Sequence, residues 1–191
     1  TAPSDQVFTI DDYVSWLTKE LQSEEKPIIL GHSNGGRIAM HYLARDPDAA
    51  RHLILLDSAG IEVASKPLSR KRTLFRVSAK LLAPLKHVPG VRKIVYRLLK
   101  SDYDKAPSNM KQTLIHMLES DATFDPRPIT TPTSIIWGKD DDITPPAMAE
   151  RLHVLLPNST LQIVDEWKHA PYITHPEQLA EILHKELEQI S

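Results

Sequence analysis

Residues 31–36 carry the strongest chemical signal in the chain. They read Gly-His-Ser-Asn-Gly-Gly, follow a short apolar run that ends at Leu30, and precede a helical pattern. A tight turn from a strand into a helix exposes a serine hydroxyl, and the helix N-terminus favours negative charge that develops nearby. Ser33 is therefore predicted to be a nucleophile. The alternative is a glycine-rich turn that binds phosphate, but the G-x-G-x-x-G spacing and a Walker lysine are missing.

A serine hydroxyl becomes nucleophilic only with a general base and with an acid that orients the base. Two later apolar runs are each followed by such a residue. Residues 137–145 (Trp-Gly-Lys-Asp-Asp-Asp-Ile-Thr-Pro) contain Asp141, and residues 166–171 (Glu-Trp-Lys-His-Ala-Pro) contain His169. Because sites in α/β sheets lie at the carboxyl ends of the strands, the serine, the acid and the histidine are expected to meet.

Simpler interpretations exist for several of these residues. Three consecutive acids, taken alone, are more typical of a solvated loop or a helix-capping cluster. His32 and Asn34 flank the serine and are expected to pack within the turn, while His175 precedes Pro176 and is expected to lie at a helix start. No histidine pair has the spacing of a metal site, so neither a metal nor a cofactor is predicted.

Together, the segments around Ser33, Asp141 and His169 resemble the α/β-hydrolase superfamily over essentially the whole chain. The resemblance implies that Ser33 is the nucleophile, His169 the general base and Asp141 its orienting acid. It also implies that the backbone N–H of Asn34 is one donor of an oxyanion hole. Asp57, which follows residues 53–56, is an alternative acid because some members of the superfamily carry the acid at that place.

The sequence departs from the superfamily at its N-terminal side. The superfamily core has eight strands, whereas this chain offers four, and the loop that supplies the second oxyanion donor has no counterpart. The strand predicted at residues 27–30 would then be an edge strand with apolar residues on both faces. We therefore expect the chain to be the C-terminal portion of a hydrolase whose N-terminal segment is cleaved, absent or a companion chain.

The elements that must position these residues follow from hydrophobic periodicity. Short apolar runs typical of buried strands occur at residues 27–30, 53–56, 133–137 and 161–164. Helical patterns occur at residues 9–21, 37–45, 146–156 and 176–190. The alternation predicts an α/β fold with a mostly parallel sheet of the α/β-hydrolase type. Residues 1–60 and 128–191 are predicted to form its core, and residues 61–127, which are helical by pattern, a cap.

The composition excludes several classes of protein and indicates a cellular location. The chain of 191 residues contains no cysteine, which excludes disulfide scaffolds and thiolate metal sites and favours a reducing, cytoplasmic location. No apolar run approaches the length of a membrane span, and no signal peptide is visible. The net charge of −2 conceals a basic segment, residues 63–100, with 11 Lys and Arg residues and no acid.

The resemblance implies a serine hydrolase that cleaves a carboxylic ester or a related carbonyl substrate through an acyl-enzyme. Hydrolysis of C–C bonds, a proline-type aminopeptidase and acyl transfer are alternatives on the same fold. The Met and Leu residues of the predicted cap favour a small substrate with an apolar portion. A different class of function is a non-catalytic module whose basic cap binds an anionic lipid surface or an acidic partner. Nucleic-acid binding is not expected, because no recognition motif accompanies the basic residues.

Overall fold

A four-stranded parallel sheet forms the centre of the protein, which we describe from a computed structural model over residues 5–62 and 106–190. The strands lie in the order β1-β2-β3-β4, and each neighbouring pair is parallel. Their bounds are β1 Ile28–His32, β2 His52–Leu56, β3 Thr133–Gly138 and β4 Ser159–Val164. The predicted α/β class and its parallel sheet are confirmed.

Helices connect and cover these strands. They are α1 Ile10–Leu21, α2 Asn34–Leu43, α3 Ser108–Asp121, α4 Pro146–Leu155, α5 Pro171–Thr174 and α6 Pro176–Ile190. Helix α1 begins with a capping box: the Thr9 N–H donates to the Asp12 carboxylate over 2.7 Å, and the Asp12 N–H donates back to the Thr9 hydroxyl over 3.3 Å. Helix α2 begins at Asn34, directly after the candidate nucleophile and three residues earlier than the periodicity predicts.

The hydrophobic core lies on both faces of the sheet, as the alternation of side chains along a strand requires. Leu53 and Leu55 of β2 pack with α2 and α4 on one face. Ile54 and Leu56 pack with Trp167 and with α6 on the other face. These four side chains of β2, residues 53–56, are all buried, which is why this segment reads as an uninterrupted apolar run.

The outer strands are less buried than the sequence predicts. Strand β1 lies at one edge of the described sheet, and Leu30 is 45% exposed there. Strand β4 lies at the opposite edge, where Ile163 is 37% exposed. The expectation that residues 27–30 are buried on both faces is therefore met only in part, because one side of β1 has no neighbouring strand among the described residues.

Of the predicted cap, the structure describes residues 61–62 and 106–127. Helix α3 carries the expected apolar residues, of which Met117 is buried while Met110, Leu114 and Leu118 are exposed. The basic segment 63–100 lies outside the described residues, so the domain bounds remain a prediction. Within the ranges described, no helix is long and apolar enough to cross a membrane.

Candidate active site

Ser33 occupies the sharp turn between β1 and α2 in a strained backbone conformation. Its φ of 50° and ψ of −119° are unfavourable for a residue with a side chain. The turn is held by the neighbouring strand, since the Ser33 N–H donates to the Leu56 carbonyl over 3.2 Å and the Ser33 carbonyl accepts the Ala59 N–H over 2.9 Å. Such strain persists where the surroundings fix the backbone, which is common at functional sites.

Two glycines, Gly31 and Gly36, make this turn sterically feasible. A Cβ atom added to Gly31 would lie 2.5 Å from the Gly36 Cα, and one added to Gly36 would lie 2.0 Å from the Ser58 hydroxyl oxygen. A Cβ on Gly35 would meet no atom of the described residues within 4 Å. The G-x-S-x-G pattern places glycines two residues either side of Ser33, at Gly31 and Gly35. The close approach on the helix side belongs instead to the next glycine, Gly36.

His169 joins Ser33 and Asp141 through its two ring nitrogens. The Ser33 Oγ lies 2.9 Å from His169 Nε2, and the Asp141 Oδ2 lies 2.8 Å from His169 Nδ1. With its proton on Nδ1, the ring donates to the carboxylate and accepts the hydroxyl proton of Ser33. The three residues that the sequence singled out at the ends of β1, β3 and β4 are thus in direct contact.

Asp141 is held as an anion by donors from its own loop. Its Oδ1 accepts the Ile143 and Thr144 N–H groups over 2.8 and 2.9 Å, and its Oδ2 accepts the Thr144 hydroxyl over 2.6 Å. Burial alone would raise the pKa of Asp141, but the hydrogen bonds from His169 and Thr144 outweigh it and lower that pKa. The acidic loop therefore serves both as a turn-capping cluster and as the partner of His169.

The electrostatics of His169 favour its charged form. The hydrogen bond to Asp141 raises the pKa of His169 above its ordinary value, while burial opposes part of this effect. An imidazolium that forms at this position is consequently stabilised by the carboxylate beside it. The Thr144 hydroxyl oxygen lies 3.0 Å from His169 Nδ1 and so completes the polar surroundings of the ring.

His32 supports the backbone of the segment that carries His169. Its Nε2 lies 2.7 Å from the His169 carbonyl oxygen, and its ring centroid lies 4.9 Å from that of His169. Burial lowers the pKa of His32, which favours a neutral ring that donates one N–H to this carbonyl. The expected packing role of His32 within the turn therefore includes a direct contact with the candidate base.

Asp57, the alternative acid, lies beside this constellation. Its Oδ1 accepts the Gly138 N–H over 2.7 Å, and among the described residues it forms no hydrogen bond with His169. Asp141 is the carboxylate that contacts the histidine directly.

Arg37 links the turn to helix α3. Its side chain is buried, donates to both oxygens of Asp121 over 2.7 and 2.8 Å, and donates to the Asn34 side-chain oxygen. The backbone N–H of Asn34, at the first position of α2, has no acceptor within its own helix and is available to a developing negative charge. Sequence reasoning missed this link, because nothing local marks Arg37 as buried.

A metal site has no support among residues 5–62 and 106–190, where no group of three or more His, Asp or Glu side chains could hold an ion.

Comparison with known proteins finds similar sequences and similar structures. The sequence profile of the alpha/beta hydrolase fold matches residues 1–176. A pimeloyl-[acyl-carrier protein] methyl ester esterase of Neisseria meningitidis serogroup A is 30% identical over 94% of this chain, which spans 62% of that relative's length. A second esterase of the same name, from Chromobacterium violaceum, is 27% identical over 84% of this chain and 69% of its own length.

Solved structures show the same architecture. MGS-MChE2, an alpha/beta hydrolase enzyme from the metagenome of Mar Chica lagoon sediments in Morocco, is 26% identical with a TM-score of 0.58, over 95% of this chain and 70% of its own. CarC, a serine hydrolase involved in carbazole degradation, shares the fold with a TM-score of 0.67 and 20% identity, over 98% of this chain and 74% of its own. By profile and by architecture, the chain belongs to the alpha/beta hydrolase family.

Proposed function

We propose that the full-length protein is a serine hydrolase that cleaves a carboxylic ester through an acyl-enzyme intermediate. The observation that carries this proposal is the continuous hydrogen-bonded chain from Ser33 Oγ through His169 to Asp141. Few other arrangements of side chains activate a serine hydroxyl near neutral pH.

In the proposed mechanism, His169 Nε2 takes the proton of Ser33 as Oγ attacks the ester carbonyl carbon. The carbonyl oxygen becomes an oxyanion, which the Asn34 N–H at the start of α2 stabilises. The tetrahedral intermediate collapses, the C–O bond to the alcohol breaks, and His169 returns its proton to the departing alcohol. Asp141 holds the ring in the required tautomer throughout.

The acyl-enzyme is resolved by the same groups. His169, neutral again, takes a proton from a water molecule whose oxygen attacks the acyl carbon. Collapse of the second intermediate returns the proton to Ser33 Oγ and releases the carboxylic acid. This sequence needs no metal or cofactor, since every proton moves between Ser33, His169, water and substrate.

The relatives narrow the proposed substrate class. Five proteins that are 27–32% identical to this chain are named pimeloyl-[acyl-carrier protein] methyl ester esterases. Their name supports an ester of a small alcohol with an apolar acyl chain, in agreement with the substrate expected from the sequence. C–C bond hydrolysis, an aminopeptidase and acyl transfer remain alternatives on the same fold. The cytoplasmic location and the contact of residues 63–100 with an anionic surface remain predictions.

The test is a panel of p-nitrophenyl and methyl esters that differ in acyl length, assayed with the full-length protein. We expect hydrolysis by the wild type, and a loss of about a thousandfold or more in kcat for Ser33→Ala and His169→Ala. His184→Gln, which alters an exposed histidine on α6, is the matched control and is expected to retain the wild-type rate. A panel with no hydrolysed ester, or Ser33→Ala at the wild-type rate, would contradict the proposal.

A further inference from the structure

Asp57 is a buried carboxyl group that the mechanism above does not use. It follows β2 directly, is fully buried, and has a φ of 43°, which is unusual for a residue with a side chain. Its Oδ1 accepts the Gly138 N–H over 2.7 Å. Its carbonyl oxygen lies 3.1 Å from the Thr144 hydroxyl, whose single proton goes to Asp141 over the shorter distance of 2.6 Å. Both ends of the residue thus contact the segment that carries Asp141.

The second carboxyl oxygen of Asp57, Oδ2, is buried without a partner, among the residues that the structure describes, that would compensate for its loss of contact with water. A buried oxygen of an ionised carboxylate in this state is strongly destabilising. A protonated oxygen would instead need an acceptor. The candidate is the Asp141 side chain, which meets Asp57 at the Thr144 hydroxyl and whose hydrogen bond with the Asp57 side chain is one cause that raises the pKa of Asp57.

The surroundings decide which of the two carboxyl groups carries a proton. Asp141 accepts three hydrogen bonds from Ile143 and Thr144 in addition to its contact with His169, so it is held as the anion. The Asp57 carboxyl group accepts one hydrogen bond from the described residues, that of the Gly138 N–H. Two adjacent carboxylates disfavour ionisation of both, and the less solvated group keeps the proton.

We propose that Asp57 is a positioning residue: its protonated Oδ2 donates a hydrogen bond to the Asp141 carboxylate and holds that acid against His169. The positioning role rests on the proposed function. The proton on Asp57, in contrast, is inferred from the buried pair of carboxyl groups, Asp57 and Asp141, alone. Burial, aided by the charge on Asp141, raises the pKa of Asp57 to about 7, against the opposing effects of the Gly138 N–H and of His169, and this raised pKa favours the protonated form. Among the described residues, Asp141 and His169 are the titratable groups that act on Asp57.

The proposal gives the activity an alkaline limit. As pH rises through the pKa of Asp57, the donated hydrogen bond is lost and two carboxylates repel each other, so Asp141 is displaced from His169. At lower pH, protonation of His169 removes the base. A plot of the wild-type kcat/KM against pH should therefore be a narrow bell. His169 sets its acid limb and Asp57 its alkaline limb, and because these two groups interact, the two apparent pKa values belong to the pair.

The experiment uses the full-length protein with Asp57→Asn, Asp57→Ala and, as matched control, Asp165→Asn at an exposed carboxylate paired with Lys139. The first measurement is the infrared C=O absorption of a protonated carboxylic acid near neutral pH. We expect the band in the wild type and in Asp165→Asn, and its loss in both Asp57 variants. A wild type without the band overturns the proposal.

The second measurement is the pH profile of ester hydrolysis. Asparagine is neutral at every pH and offers an N–H in place of the acid proton, so Asp57→Asn should lose the alkaline limb. Asp57→Ala should lose roughly tenfold to a hundredfold in kcat, the effect of a misplaced catalytic group, with little change in KM. An Asp57→Asn variant that is as impaired as Asp57→Ala, or that keeps the alkaline limb, overturns the proposal. If Asp57→Ala does not fold, the pH profile of the Asp57→Asn variant and the infrared band still test the proposal.

The two measurements distinguish a failure of the proposed proton on Asp57 from a failure of the proposed esterase function. The infrared band reports the proton on Asp57 whether or not any ester is hydrolysed. A protein with the band and without esterase activity would contradict the proposed function and the positioning role built on it, while the carboxyl pair would stand.

Discussion

Arg37 and Asp121 form a buried, two-point ion pair between the helix that follows Ser33 and helix α3. The Nε and Nη2 atoms of Arg37 lie 2.7 and 2.8 Å from the two Asp121 carboxylate oxygens, and Arg37 is 3% exposed. Nη1 of the same guanidinium donates to Asn34. One side chain thus connects a helix of the predicted cap to the first residue of the helix behind the nucleophile.

Removing one partner of this pair should be costly for stability. Asp121→Ala leaves the Arg37 guanidinium buried without its counter-charge, and we expect the free energy of unfolding to fall by about 3 kcal/mol. Urea unfolding followed by circular dichroism measures the change. Asp165→Ala, which breaks the exposed pair with Lys139, is the control and should have a much smaller effect. Equal effects of the two substitutions would show that the buried pair contributes no more than a surface one.

The two glycines after Asn34 should respond in opposite ways to alanine. Gly36→Ala places a Cβ 2.0 Å from the Ser58 hydroxyl oxygen and 3.0 Å from the Gly31 carbonyl oxygen, so we expect a loss of about 2–3 kcal/mol in unfolding free energy and impaired activity. Gly35→Ala meets no atom of the described residues within 4 Å and gains helix propensity, so it should retain or increase stability by up to about 1 kcal/mol. Thermal unfolding of the two variants checks the order, and the reverse order would contradict the steric account.

The acid limb of the activity profile should lie above the ordinary histidine pKa of 6.5, because Asp141 raises the pKa of His169 and only the neutral ring can accept the Ser33 proton. Asp141→Asn removes the carboxylate. We expect the limb to move to lower pH and kcat to fall by roughly ten-thousandfold, as when the orienting acid of a serine triad is neutralised. The pH dependence of kcat/KM for both proteins measures this, and an unchanged limb in Asp141→Asn would assign it to another group.

His41 should make the protein sensitive to acid. Its ring stacks on Phe124 with centroids 4.0 Å apart, its Nε2 is buried without a hydrogen-bond partner in the described structure, and burial lowers the pKa of His41 to about 4. Between pH 6.5 and about 4 the unfolded chain therefore binds a proton that the folded protein does not, so stability falls as pH falls through this window. His41→Phe keeps an aromatic ring on Phe124 and should flatten this dependence.

Chemical denaturation at several pH values tests the His41 prediction. His184→Gln, on an exposed histidine, is the control and should keep the wild-type dependence. A His41→Phe variant with the same acid sensitivity as the wild type would show that other groups set it.

Local sequence pattern was sufficient for most of the fold. Leu53–Leu56 reads as a strand because β2 is central and buried on both faces, so each of its positions is apolar. The boundaries of α2 were less predictable, because the helix begins inside the glycine-rich turn, where Gly35 and Gly36 lower helix propensity. The exposure of Leu30 depends on which strands flank β1, and a segment's own residues do not encode that.

For the candidate site, motifs located Ser33, Asp141 and His169 because each directly follows a strand. The contacts that support these residues could not be located in this way. Arg37 and Asp121 are 84 positions apart, and charged residues in a helical pattern ordinarily face solvent. Asp57 is a single acid after an apolar run, and only the folded protein shows that its second oxygen is buried beside Asp141.

The central claim is that Ser33 is an activated nucleophile, and covalent labelling tests it most directly. The full-length protein is treated with a fluorophosphonate, and mass spectrometry of the digested protein locates the adduct. We predict a single adduct on Ser33, absent from Ser33→Ala and strongly slowed in His169→Ala. An adduct on another residue, or no adduct on the folded wild-type protein, would contradict the account.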